Sequence, residues 1–214
     1  MIAIIAGATG LTGSTLALEL LARDEFTGIN CLVRNVPDEP LKGITYIPAD
    51  FDMIHYKKFK ADTAFTCLGT TIKNAGSREN FYRVDYHYNL MFAEACKEQG
   101  VERFILLSAL GANSRSSVFY NRVKGELEEA VINLNFKSLT IVRPSLLEGP
   151  RIESRPGELL ARKTMKILNP LLVCRFKKYR SVDVDKIATA MAEAAILNHP
   201  GVRYIENEEI LSYS

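Results

Sequence analysis

The stretch GATGLTG, Gly7 to Gly13, decides how this chain is read. It follows a short apolar run, IAIIA (2–6), and opens into LTGSTLALELLAR (11–23), whose apolar residues recur at three-and-four spacing. Glycines between a buried strand and a helix suit a dinucleotide diphosphate. Gly7 permits the tight turn, Gly10 lets backbone approach the phosphates, Gly13 allows helix against sheet, and free amides at the helix start face the anion.

Outward from that turn, strand-like and helix-like segments alternate. INCLVR (29–34), ITYIP (44–48), TAFTCLG (63–69), ERFILLS (102–108) and SLTIVRP (138–144) are short, apolar and rich in β-branched residues, as suits strands buried on both faces. Between them, 77–100 and 120–134 have helical spacing, and Gly100 stands where a helix would stop. This order predicts an α/β fold, a doubly wound, Rossmann-like parallel sheet with helices on both faces. On the helix over 77–100, Phe81, Val84, Tyr88 and Phe92 are expected to share the packed face, which favours core packing over base stacking. After Pro144 the pattern changes, and turn residues and bases precede a helix at 183–197 and a strand at 202–206. We read 1–214 as one nucleotide-binding domain, with 148–182 as a small C-terminal substrate-side insertion, a lid segment.

Composition narrows the function classes. A net charge of +2 over 214 residues recommends neither nucleic acid nor an anionic membrane as partner. No apolar run approaches the roughly 18–20 residues of a membrane span, and the first residues read as a strand, not a charged leader. Cys31, Cys67, Cys96 and Cys174 lack metal-ligand pairing and are expected as free thiols in a reducing cytoplasm. His55, His87 and His199 are scattered, so no metal site is expected.

After the second strand the chain reads LVRN, with Arg34 where an NAD site usually carries an acid. A guanidinium there grips a 2′-phosphate that an acid would repel, which favours NADP(H) over NAD.

In order and spacing, GATGLTG, CLGTT (67–71), VDYHYN (84–89), LLSALGAN (106–113), YNRVKGELE (120–128), IVRPSLLEGPR (141–151) and ESRPGE (153–158) resemble the atypical short-chain dehydrogenase/reductases. More narrowly they resemble the oxidoreductases related to the Tat-interacting protein of vertebrates. The resemblance implies that Gly7, Thr9, Gly10, Leu11 and Thr12 hold the diphosphate and that Arg34 with Asn35 meets the adenosine phosphate. It implies Asp50 and Phe51 at the adenine, and Cys67, Leu68 and Gly69 along the adjoining ribose and linker. Pro144, Ser145, Leu146 and Leu147 would back the nicotinamide, and Arg155 matches a ligand-proximal arginine. One departure is Asp85, where many members carry an asparagine that supports a proton-relay water.

Three residues complete the reading. Tyr120 is a candidate proton donor to a developing alkoxide, and its ordinary pKa of about 10 is too high for proton exchange near neutrality without a cation nearby. Lys124, one helical turn on, supplies that charge and can also bind the nicotinamide ribose. Ser108, at a strand end, is expected to point its hydroxyl into the same crevice and hold the substrate oxygen. Between Arg151 and Arg180 nine bases face two acids, which suits a lid that steers an anionic small molecule. The expected function is an NADP-dependent reductase or dehydrogenase of a small carbonyl or alcohol. The alternative is a nucleotide-binding sensor or protein-interaction scaffold without turnover.

Overall fold

The computed structural model describes residues 1–56, 58–148 and 179–213. Within them, β1 (Ile2–Ala6), β2 (Gly28–Val33) and β3 (Ile44–Pro48) step outward in one direction. β4 (Thr63–Thr66), β5 (Arg103–Leu107) and β6 (Ser138–Arg143) step outward in the other. A two-stranded ladder of β7 (Leu147–Glu148) and β8 (Val182–Asp183) follows, and β9 (Gly201–Glu206) closes the main sheet. The seven strands run parallel in the order β3-β2-β1-β4-β5-β6-β9, the doubly wound sheet that the alternation predicts. The direction of winding reverses between β1 and β4, where open α/β sheets bind ligands at the strands' carboxyl ends.

The inner strands β1, β2, β4, β5 and β6 are buried on both faces, so one run of sequence feeds two cores. From β1, Ala3 and Ile5 face α1 (Leu11–Leu21) and α6 (Val184–Leu197), joining Leu16, Leu20, Met191 and Ile205. Ile4 and Ala6 face the other side, with Phe92, Phe104, Leu127 and Val131 from α4 (Asn89–Glu98), β5 and α5 (Phe119–Asn133). Among the described residues no helix is long and apolar enough to cross a membrane.

The lid expected over 148–182 falls almost wholly on 149–178, outside the described residues. Its two ends are described and lie together, because Leu147 pairs with Val182 and Glu148 with Asp183 at the carboxyl end of β6. Asn207, fully buried in α7 (Asn207–Ile210), accepts from the Ser145 amide at 2.9 Å and donates to the Arg180 carbonyl at 2.9 Å, tying both ends to the sheet.

The helix expected over 77–100 is broken up. After α2 (Ile72–Ala75), α3 (Arg78–Tyr82) runs into a π-helical turn, Arg83–Tyr88, before α4. A wide turn delays the helix phase, so the buried face is Phe81, Asp85, Asn89 and Phe92, whereas Val84 and Tyr88 are only half-buried. The face expected from regular spacing is corrected at both middle positions. Asn89 supports the turn, its amide donating to the Val84 carbonyl at 3.0 Å and the Asp85 carbonyl at 3.2 Å.

Gly125, inside α5, shows what holds that helix in place. A Cβ there would lie 2.1 Å from the Ser114 nitrogen and 2.2 Å from the Asn113 carbonyl carbon, so the loop after β5 presses backbone to backbone on α5. The Asn113 amide also donates to the Asn121 carbonyl at 2.9 Å. Alanine is favoured over glycine in a helix by about 1 kcal/mol, yet overpacking costs about 1–3 kcal/mol and here meets rigid backbone. Gly125→Ala is therefore expected to destabilise the fold by roughly 1–3 kcal/mol in denaturant titration; a more stable variant would refute this packing.

Candidate functional site

Parallel strands bring the chemistry-bearing loops to one edge of the sheet. After β1, Gly7 turns the chain at φ 86°, and Gly10 becomes the N-cap of α1 with no side chain capping it. A Cβ on Gly7 would lie 2.7 Å from the Cys67 carbonyl carbon, and one on Gly13 would lie 2.1 Å from the Gly7 oxygen. Both glycines are therefore required by the protein's own backbone, before any ligand is considered. Gly10 differs: the nearest atom to its Cβ position is the Gly7 oxygen at 3.4 Å, and it is exposed together with Thr9. The Gly10 amide donates to the Gly7 carbonyl at 3.0 Å, and Leu11 and Thr12 form the first turn, which no side chain caps. An uncapped helix start over exposed backbone fits a diphosphate.

The other predicted contacts line the same edge. Arg34 and Asn35 follow β2, both exposed, and Arg34 makes no ion pair among the described residues. Asp50 is exposed after β3, with Phe51 buried beside it. Cys67 and Leu68 are half-buried after β4, and Gly69 is exposed. Pro144, Ser145, Leu146 and Leu147 follow β6, with Pro144 buried and Leu146 exposed. The Ser145 hydroxyl is already donated to the Arg180 carbonyl. Arg155 lies outside the described residues.

Tyr120 and Lys124 share a face of α5 but differ in environment. Tyr120 is 37% exposed and packs its ring on Phe81 at 5.8 Å between centroids. Lys124 is only 4% exposed, and its Nζ lies 2.9 Å from a carboxylate oxygen of Asp85. The second Asp85 oxygen accepts the Thr70 amide at 2.8 Å. Burial works against the ammonium, but Asp85, then Tyr120 and Glu128, outweigh it and raise Lys124 above its ordinary range. Gly69 lies over this pair, its Cβ position 3.4 Å from Asp85 Oδ1 and 3.9 Å from Lys124 Nζ.

Ser108 departs from expectation. It is buried at the end of β5, and its hydroxyl donates to Glu128 of α5 instead of opening into the crevice. Arg143 donates to Glu128 through Nε at 3.0 Å and through a terminal nitrogen, and reaches Glu206 at 3.0 Å. A carboxylate gripped by arginine is a strong acceptor, so the serine proton goes to it.

Sequence reasoning named Asp85 only as a departure and missed Asn89, Glu128, Arg143 and Gly125. The signals were polar residues on the inward face of a helix, an arginine ending an apolar strand, and a glycine within a helix. Their partners lie far along the chain, where spacing gives no warning.

Burial raises three thiols of the described residues. Burial, then the neighbouring Cys31 thiol, push Cys67 up to about 12 against the pull of Lys124. Burial alone takes Cys31 to about 12, and Cys96 rises well above its usual value for the same reason. Unfolded thiols ionise near 9.0, whereas the folded ones keep their protons towards 12. The native state then holds more protons, so stability must fall as pH rises through that window. Lys124 adds to the loss above the ordinary lysine value of 10.5, because it too stays protonated longer when folded. Denaturant midpoints should fall as pH rises above the unfolded thiol value of 9.0; a flat or rising series there would contradict these burials.

Comparison with known proteins gives the family and the fold. The sequence matches the NAD dependent epimerase/dehydratase family over residues 3–199. It is 40% identical over 165 residues to protein HTATIP2 of Rattus norvegicus, covering 74% of this chain and 68% of that protein. It is 32% identical over 218 residues to protein FMP52, mitochondrial, of Eremothecium gossypii, covering 99% and 96%. Among solved structures, MoeE5 in complex with UDP-glucose and NAD superposes with a TM-score of 0.71 at 16% identity, covering 99% of this chain and 80% of that one. UDP-glucose 4-epimerase of Thermus thermophilus, in complex with NAD, gives 0.70 at 18% identity, covering 99% and 81%. At such identities the likeness is one of fold. The fungal relatives named mitochondrial overturn the expected cytoplasmic location. Free thiols tell an oxidising compartment from a reducing one and do not choose among the reducing ones.

Proposed function

Because the chain belongs to the NAD dependent epimerase/dehydratase family, we propose that it is an NADP-dependent oxidoreductase of a small carbonyl or alcohol, with Tyr120 exchanging the proton. The observation that carries this reading is the buried Lys124 ammonium one turn from Tyr120. A cation in low dielectric favours a phenolate far more than one in water.

The cofactor's diphosphate would be held by the Gly7 to Gly13 turn and the first amides of α1, and its 2′-phosphate by Arg34 and Asn35. Asp50 and Phe51 would meet the adenine, Cys67, Leu68 and Gly69 the adjoining ribose and linker, and Pro144 to Leu147 the nicotinamide side. When bound, the dinucleotide supplies or accepts the hydride. In reduction, Tyr120 gives its proton to the substrate oxygen while Lys124 favours the phenolate left behind. The substrate is proposed to be small and anionic, steered by the basic segment from Arg151 to Arg180.

A second reading, a nucleotide-binding sensor without turnover, draws on Ser108. With its proton given to Glu128, that hydroxyl offers Tyr120 no second donor at a substrate oxygen. Tyr120→Phe separates the two readings. It should bind NADPH as the wild type does, by fluorescence quenching, and lose carbonyl-dependent NADPH oxidation by about 10²–10⁴-fold. A wild type inert towards a broad carbonyl panel would leave the sensor reading standing. Cofactor preference has its own measurement. A charge-assisted hydrogen bond contributes about 1.5–3 kcal/mol, so Arg34→Ala should weaken NADPH roughly 10- to 100-fold and NADH little; equal losses would sink the NADP assignment.

A further inference from the structure

Asp85 is a carboxylate that the proposed chemistry leaves without a task. It is 1% exposed, on a helix face it shares with Phe81, Asn89 and Phe92, where burying a carboxylate without a partner is costly. Both of its oxygens are engaged, one by Lys124 Nζ at 2.9 Å and the other by the Thr70 amide at 2.8 Å. The π-helical turn Arg83–Tyr88 aims it inward, and Asn89 locks that turn by donating to the Val84 and Asp85 carbonyls and, at 3.3 Å, to the Leu68 carbonyl. The Thr66 hydroxyl donates to Asn89 in turn. Asn89 thus joins the end of β4 to the turn that carries Asp85.

We propose that Asp85 is a positioning residue of this site: from the π-turn it anchors the buried Lys124 amine, as an ammonium, beneath Gly69 and one turn from Tyr120. Four ionisable groups bear on that amine. Asp85 faces it from the π-turn, Tyr120 and Glu128 from its own helix, and the Cys67 thiol from the end of β4. Glu128 is already held by Arg143, and Cys67 stays protonated, which leaves Asp85 as the anion that offsets the burial of Lys124. Gly69 completes the device. Its exposed backbone lies against the pair with no side chain between, over an amine that solvent barely touches.

This inference deepens the oxidoreductase reading and rests on it for the use Tyr120 makes of the charge, but its primary test needs no turnover. The full chain, labelled at lysine Cε, is titrated by NMR, with Lys124→Arg assigning the resonance. In the wild type, Lys124 should remain charged at a pH where the bulk of the lysine resonances have lost their protons. In Asp85→Asn its midpoint should fall below theirs, and Asp85→Glu should restore it. A Lys124 midpoint unchanged in Asp85→Asn overturns the proposal. So does a wild-type midpoint at or below that of the exposed lysines, a result independent of whether any variant folds. Where turnover is measurable, the Asp85→Asn pH–rate profile should differ from that of the wild type and return towards it in Asp85→Glu, a change that a merely structural role would not produce. A wild type that turns over no carbonyl, while Lys124 titrates as stated, upholds the role of Asp85 and sinks the oxidoreductase reading.

Discussion

The contact between Gly7 and the end of β4 is the constraint on which the rest of the edge depends. A Cβ at Gly7 would sit inside the Cys67 peptide, and a Cβ at Gly13 would sit on the Gly7 oxygen, so three backbone segments meet with no side chain between them. With φ at 86°, Gly7 also holds a conformation that L side chains rarely adopt. The result is to draw the start of α1 down onto the switch point between β1 and β4, where no side chain caps it. Because every strand is parallel, the loops carrying Arg34, Asp50, Gly69 and Ser108 then line the same edge.

On the far side of that edge the structure accepts a cost. Removing an ammonium and a carboxylate from water costs several kcal/mol each, and their attraction returns it only with good geometry and further hydrogen bonds. Lys124 and Asp85 have both, and Glu128 has them with Arg143 and Ser108. Neither network is an efficient way to stabilise a helix already packed through Val123, Leu127 and Val131. Their effect is on orientation, since each holds a charged group of α5 against a strand end or the π-turn.

Most of the architecture was legible along the chain. The apolar runs beginning near Ile2, Ile29, Ile44, Thr63, Glu102 and Ser138 became β1 to β6 with ends within a few residues; all but β3, at the sheet edge, are buried on both faces and so must be apolar throughout. The glycine turn and its family likeness were legible for a similar reason: a tight backbone approach tolerates few residue types. The helix over 77–100 shows where this fails. Periodicity assumes one pitch, and a single π-turn moved Asp85 and Asn89 inward in place of Val84 and Tyr88. Location failed differently, since thiol content carries no address and only the fungal relatives spoke to it.

By itself the sequence determined the alternation of strands and helices, the glycine turn and the Tyr120 and Lys124 pair, because each follows from local spacing or from what a residue type forbids. Tertiary structure decided which charges meet. That Lys124 would be buried against Asp85, and that Ser108 would give its proton to Glu128, depends on elements brought together from distant parts of the chain. The energy of a charge in a protein is set by its surroundings in space, and those surroundings exist only after the sheet has closed over them.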